Sequence, residues 1–127
     1  MAETVESLLE AAPPARREDA RALAALMARA TGEEPEAHGT IVGYGRYRYR
    51  YASGREGETF RVGFAPRVGA LVLYLPGEDA ERDRLVAALG PLKTGAGCVY
   101  VPRLADVDPA ALEAAVAHVH AYPPHAA

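Results

Sequence analysis

Between Arg46 and Tyr51 the chain alternates arginine and tyrosine without a break, RYRYRY. Successive side chains of a strand point to opposite faces, so Arg46, Arg48 and Arg50 share one face and Tyr47, Tyr49 and Tyr51 the other. A helix needs its apolar positions three and four apart, and this stretch has none at that spacing. The polar turn Ser53-Gly54-Arg55-Glu56-Gly57 follows, and then a second period-two run, Thr59 to Phe64. Phe60, Val62 and Phe64 are expected on one face of that strand. Pro66 to Gly69 is a further turn. Ala70 to Leu75 is almost continuously apolar, the pattern of a central strand covered on both sides. Cys98 to Val101 reads as a last short strand. Strands joined by such short turns pair antiparallel.

The rest of the chain has helical spacing and recognisable ends. Thr4 is placed to cap a short helix running to Glu10, because its hydroxyl can accept an N–H of the first turn. Pro14 to Thr31 carries Ala20, Leu23, Ala24, Leu26, Met27 and Ala30 on one stripe, and Gly32 follows as a stop. Glu33-Glu34-Pro35-Glu36 reads as an acidic loop. Asp79 to Leu89 is a third helix with Gly90 behind it. Lys93 to Gly97 reads as a glycine-rich loop. Asp108 caps a final helix, with Pro109 at its first position. Val107 and Leu112 bracket that cap as a hydrophobic staple, and Pro123-Pro124 ends the helix. The order predicts a single α+β domain over residues 1–127, an antiparallel sheet of about five strands with helices mainly on one side.

Net charge is −3, which argues against a dedicated nucleic-acid binder. The arginine and tyrosine rows also lie on opposite faces, so they do not form a mixed basic and stacking platform. The single cysteine, Cys98, has no partner within the chain, the usage of a reducing compartment. No apolar run approaches the ~20 residues of a membrane span. The expectation is a soluble cytoplasmic protein without a membrane partner.

Three clusters carry candidate chemistry. Arg46, Arg48 and Arg50 offer guanidinium donors to phosphate or carboxylate, or else form a solvated face paired with acids across the sheet. Lys93-Thr94-Gly95-Ala96-Gly97 resembles a phosphate cradle in composition. However, the lysine precedes the glycines and a strand follows, so it is no Walker A motif. A backbone anion nest or a plain helix-to-strand connection are the readings left. Glu33, Glu34, Glu36 and His38 supply hard oxygen ligands and an imidazole, which bind metal only if they converge. His118 and His120 are two apart on a helix, not the four apart of a zinc pair. No nucleophile elbow, metalloprotease motif or dinucleotide fingerprint occurs.

Several longer stretches act together as a signature. They are Arg16-Arg17, Thr31-Gly32-Glu33-Glu34-Pro35, Ile41-Val42-Gly43-Tyr44-Gly45, Tyr47-x-Tyr49-x-Tyr51 and Ser53-Gly54-Arg55-Glu56-Gly57. Val62 to Arg67, Leu73-Tyr74-Leu75, Leu89-Gly90, Lys93-Thr94-Gly95, Cys98-x-Tyr100 and Arg103 to Asp108 continue it. In this order the chain resembles the YdhG-like bacterial domains of unknown function. The resemblance implies a small α+β fold likened to frataxin, and some such domains are described as frataxin-like iron chaperones. It departs at Ala37-His38-Gly39, where Met-Trp-Gly is usual, and at Arg48, where histidine is. Ala96 and Pro102 stand where lysines are common. Only Lys93, Thr94 and Tyr49 carry over as ligand-site residues, and iron enters by resemblance alone.

The leading expectation is a non-enzymatic binding module for a small anionic ligand, a metal or a protein partner. A second reading is an enzyme using Lys93 with a tyrosine as acid and base, which requires Lys93 in a pocket beside Tyr49 or Tyr100. A third is an oligomerising protein, a homodimer joined through the Arg46–Arg50 face.

Overall fold

The computed structural model describes residues 4–50, 52–77 and 79–122. Tyr51 and the proline pair after Tyr122 lie outside them. The elements in chain order are α1 (Val5–Glu10), α2 (Pro14–Thr31), β1 (Pro35–His38), β2 (Ile41–Arg50), β3 (Glu56–Pro66) and β4 (Leu71–Tyr74). There follow α3 (Ala80–Ala87), β5 (Lys93–Gly95), β6 (Cys98–Val101), a 3-10 turn (Leu104–Asp106) and α4 (Pro109–Ala121). The strands form one antiparallel sheet in the order β1-β2-β3-β4-β6-β5. The fold is α+β, with six strands rather than about five.

The additional strands are the two edges. Pro35–His38 and Lys93–Gly95 were expected as loops, because PEAH and KTG carry no apolar alternation. They are strands because β2 and β6 offer each of them an open row of backbone groups.

Helix ends follow the local chemistry. Thr4 and Ser7 form a reciprocal capping box at α1. Gly32, at φ +71°, ends α2. Asp108 caps α4, and Val107 and Leu112 are both buried beside it. Asp79 caps α3 by accepting from the Arg82 N–H at 3.1 Å. The same carboxylate accepts from His118 Nε2 of α4 at 2.6 Å. That hydrogen bond holds the Asp79 carboxyl below its ordinary value. The stability this adds is present above the carboxylate's unfolded value, about 3.9, and is lost as pH falls through the lower folded value. Asp79→Ala is therefore expected to lower the melting temperature more than Asp79→Asn. Asparagine keeps the cap and gives up only the charge, and thermal melts at neutral pH check the order.

One face of the sheet packs against the helices. Val42, Tyr44, Val62, Phe64, Leu71, Leu73, Val99 and Val101 meet Leu23, Met27, Leu112 and Val116 in a single core. Burying such side chains contributes about 1.5–3 kcal/mol each.

The other face holds a departure from expectation. Phe60 does not lie beside Val62 and Phe64. In register it is opposite Arg46, three positions beyond Gly43. A flat sheet would hold those positions about 10 Å apart. Yet a Cβ on Gly43 would stand 2.8 Å from the Phe60 Cβ. The hairpin of β2 and β3 is thus sharply bent, and Phe60 lies over the paired glycines Gly43 and Gly63. His38 and Tyr74 flank the Phe60 ring edge-on, at centroid distances of 5.3 and 6.1 Å.

The bend sits at Gly45 and Arg61, a level with no cross-strand pair between Tyr44–Val62 and Arg46–Phe60. Gly45 has φ +73°. Tyr44 points to the helices, where its hydroxyl donates to the Ala24 carbonyl at 2.8 Å. A Cβ on Gly45 would also meet the helix side, 3.1 Å from His120 Nε2. Arg61 points that way too and donates to the His120 carbonyl at 2.7 Å. Alternation therefore slips by one residue in both strands.

Candidate functional site

Beyond the bend, β2 and β3 continue as a two-stranded arm. Arg46 donates to Glu36 at 2.5 Å and contacts Glu58 at 3.4 Å. Arg50 Nε donates to Glu56 at 2.7 Å. The hydrogen bond from Arg46 holds the Glu36 carboxyl below its ordinary value. Arg48 makes no ion pair among the described residues, and Glu58 is opposite it in register. The arginine row is thus largely neutralised within the chain. The arm encloses an open concavity of about 860 Å³ lined by these arginines and Arg61, but also by Glu56 and Glu58. Incoming anions there would compete with carboxylates already in place. Tyr49 lies across Gly57, its partner on β3.

The acidic cluster does not assemble a metal centre. Glu33 Oε2 lies 3.3 Å from His120 Nε2, Glu36 is held by Arg46, and His38 packs on Phe60. Glu34 lines a shallow depression with Glu33 and Glu36. No three metal-ligating side chains converge among the described residues. Three of the four candidate ligands, Glu33, Glu36 and His38, are turned to partners on α4, β2 and β3.

Lys93 and Thr94 are on the edge strand β5, and Tyr49 is on β2, with β3, β4 and β6 between them. The three residues carried over by resemblance are not brought together. Thr94 borders a small hollow beside α3 with Arg82 and Asp83. Lys93 is exposed, and its Nζ stands 5.7 Å from the Tyr100 ring centroid. At an exposed site such a cation–π contact contributes about 0.5–1 kcal/mol.

Lys93 does border a site with Tyr100, the one neighbour in it that the sequence reading had named. Lys93 is paired with Tyr100, and Tyr100 with Val72, so these three side chains share the sheet face away from the helices. With Pro91, Leu92, Pro102 and the β3–β4 turn they line a groove of about 490 Å³. That lies within the roughly 300–1,000 Å³ of small-molecule sites. Arg67 closes the turn end. Its Nη2 donates to Thr40 Oγ1 at 3.1 Å, and it makes no ion pair among the described residues. Nor does Lys93. No carboxylate of the described residues lines the groove. The available signal was the register of β4, β6 and β5, which the sequence did not disclose.

No protein-family model, curated protein or solved structure matches this chain. No helix among the described residues is long and apolar enough to cross a membrane.

Proposed function

We propose that the protein is a binding module for a small anionic ligand, and that the ligand sits in the Lys93–Tyr100–Arg67 groove rather than on the arginine ladder. One observation carries this reading. Among the described residues Lys93 and Arg67 are cations without acidic partners in a groove lined by no acid, whereas Arg46 and Arg50 already engage glutamates. The resemblance to YdhG-like domains supports it at Lys93, within the Lys-Thr-Gly stretch.

The distal arm is less suited to joining two copies. Its outer edges, beyond Tyr44 on β2 and before Gly63 on β3, have no strand partner among the described residues. Arginine and glutamate crowd them, a common guard against edge pairing.

The test is an NMR titration of nitrogen-labelled protein with benzoate and, separately, inorganic phosphate. Shifts from at least one of the two anions are expected on β4, β5 and β6, lost in Lys93→Ala and retained in Arg48→Ala. Shifts centred on residues 46–50, or none with either anion, would overturn the reading.

A further inference from the structure

We infer that the ligand class of this groove is an amphipathic carboxylate, with a flat or branched apolar body and a single anionic end, rather than a phosphate ester or a free inorganic anion. This rests on the anion-site reading above and sharpens it.

The lining decides between the classes. A phosphate group presents several oxygens and is usually held by converging backbone N–H groups, often with an arginine fork. Most of the lining backbone offers no such donor. Pro91 and Pro102 have no N–H. The Arg67 N–H is taken by the Ala70 carbonyl at 2.9 Å, and the Leu92 N–H by the Gly90 carbonyl at 2.8 Å. Lys93 and Tyr100 are register partners across β5 and β6. An anion is left with the two side-chain cations, the Tyr100 hydroxyl and the turn N–H groups of Gly69 and Ala70, and Lys93 is exposed to screening.

The floor, by contrast, is apolar. Val72, Leu92, Pro91, Pro102 and the face of Tyr100 supply contact area that a bare anion would leave unused. A ligand must therefore draw most of its affinity from an apolar body and use one charge for orientation. A carboxylate suits that charge, because two oxygens match either one guanidinium edge or one ammonium. Tyr100 adds a ring against which an aromatic body can stack, offset or edge-on.

The experiment compares three probes on the intact protein by calorimetry and by NMR: naphthoate, its neutral amide naphthamide, and inorganic phosphate. Naphthoate is expected to bind tightest, with shifts at Val72, Tyr100 and Lys93, and naphthamide roughly tenfold weaker. Lys93→Ala and Arg67→Ala are each expected to weaken naphthoate by roughly fivefold, as exposed charge pairs do. Pro102→Glu, at an exposed loop position, sets a carboxylate at the groove and is expected to weaken it further. Phosphate binding in the groove more tightly than naphthoate would overturn the ligand class while leaving the anion site standing. Naphthamide equal to naphthoate would overturn both, since the cations would then be idle. Silence from all three probes would also overturn both.

Discussion

Replacing Tyr44 by alanine is expected to remove about 3–5 kcal/mol of stability, a large share of the roughly 5–15 kcal/mol that holds a domain of this kind. Tyr44 is fully buried and is the largest such side chain in the core. Its ring fills the space between β2 and α2, and its hydroxyl donates to the Ala24 carbonyl. Alanine would leave a cavity that the packed sheet could only partly close. Tyr44→Phe separates the terms: the ring stays, and the expected loss is only about 1 kcal/mol. Urea unfolding of the two variants measures both. Burial also pushes the Tyr44 phenol well above its ordinary value. The stability this represents is complete below the unfolded tyrosine value, about 10, and falls as pH rises above it toward the folded value. Tyr44→Phe is expected to flatten that alkaline loss, and a melting series across alkaline pH would show it. An unchanged slope would mean that other groups set the alkaline limit.

Gly45→Val is expected to cost about 2–4 kcal/mol and to disturb the arm selectively. The left-handed conformation at φ +73° costs a side-chain-bearing residue about 1–2 kcal/mol. A β-branched side chain must then displace Arg61 Cδ, 3.0 Å from the Cβ position, and His120 Nε2 beside it. The Glu33 carboxylate, at 2.5 Å, is the end of a flexible side chain and yields more easily. Because this residue sets the slip in alternation, the arm beyond it should lose its hold on Arg61 and Phe60. Amide exchange is expected to accelerate at residues 46–50 and 56–60 before it does in β4 and β6. Uniform acceleration across the sheet would place the bend outside Gly45's control.

The arginine ladder shows how far local reading reaches. Period two separates Arg46, Arg48 and Arg50 from Tyr47 and Tyr49, yet both rows border the concavity of the arm. Continued unbroken from Val42 and Tyr44, the same alternation would place the arginines on the helix side. The slip at Gly45 and Arg61 reverses that, and with it the side of Phe60. Nothing in the spacing of TFRVGF announces the slip. It depends on Phe60 reaching Gly43 across the hairpin and on Arg61 reaching the end of α4. The two glycines that admit the ring were legible as glycines, but their purpose was not. The candidate site behaves the same way. Lys93 was singled out for the glycines after it and set beside Tyr49 or Tyr100, whereas the groove joins it to Tyr100, Val72 and Arg67.

The sequence by itself determined the α+β class, the helix ends at Thr4, Gly32, Asp79 and Asp108, and the antiparallel pairing of β2 and β3. Each is settled within a few residues, by a cap, a period or a turn. The tertiary structure decided that two polar segments become edge strands, that the long hairpin bends, and that Lys93 and Arg67 share a groove with no acid among its described residues. The edge strands rest on backbone pairing with the neighbouring strand, and the bend and the groove on contacts between segments farther apart along the chain. They follow from which row of backbone groups is left open and which space a neighbouring ring can fill, and local propensity records neither.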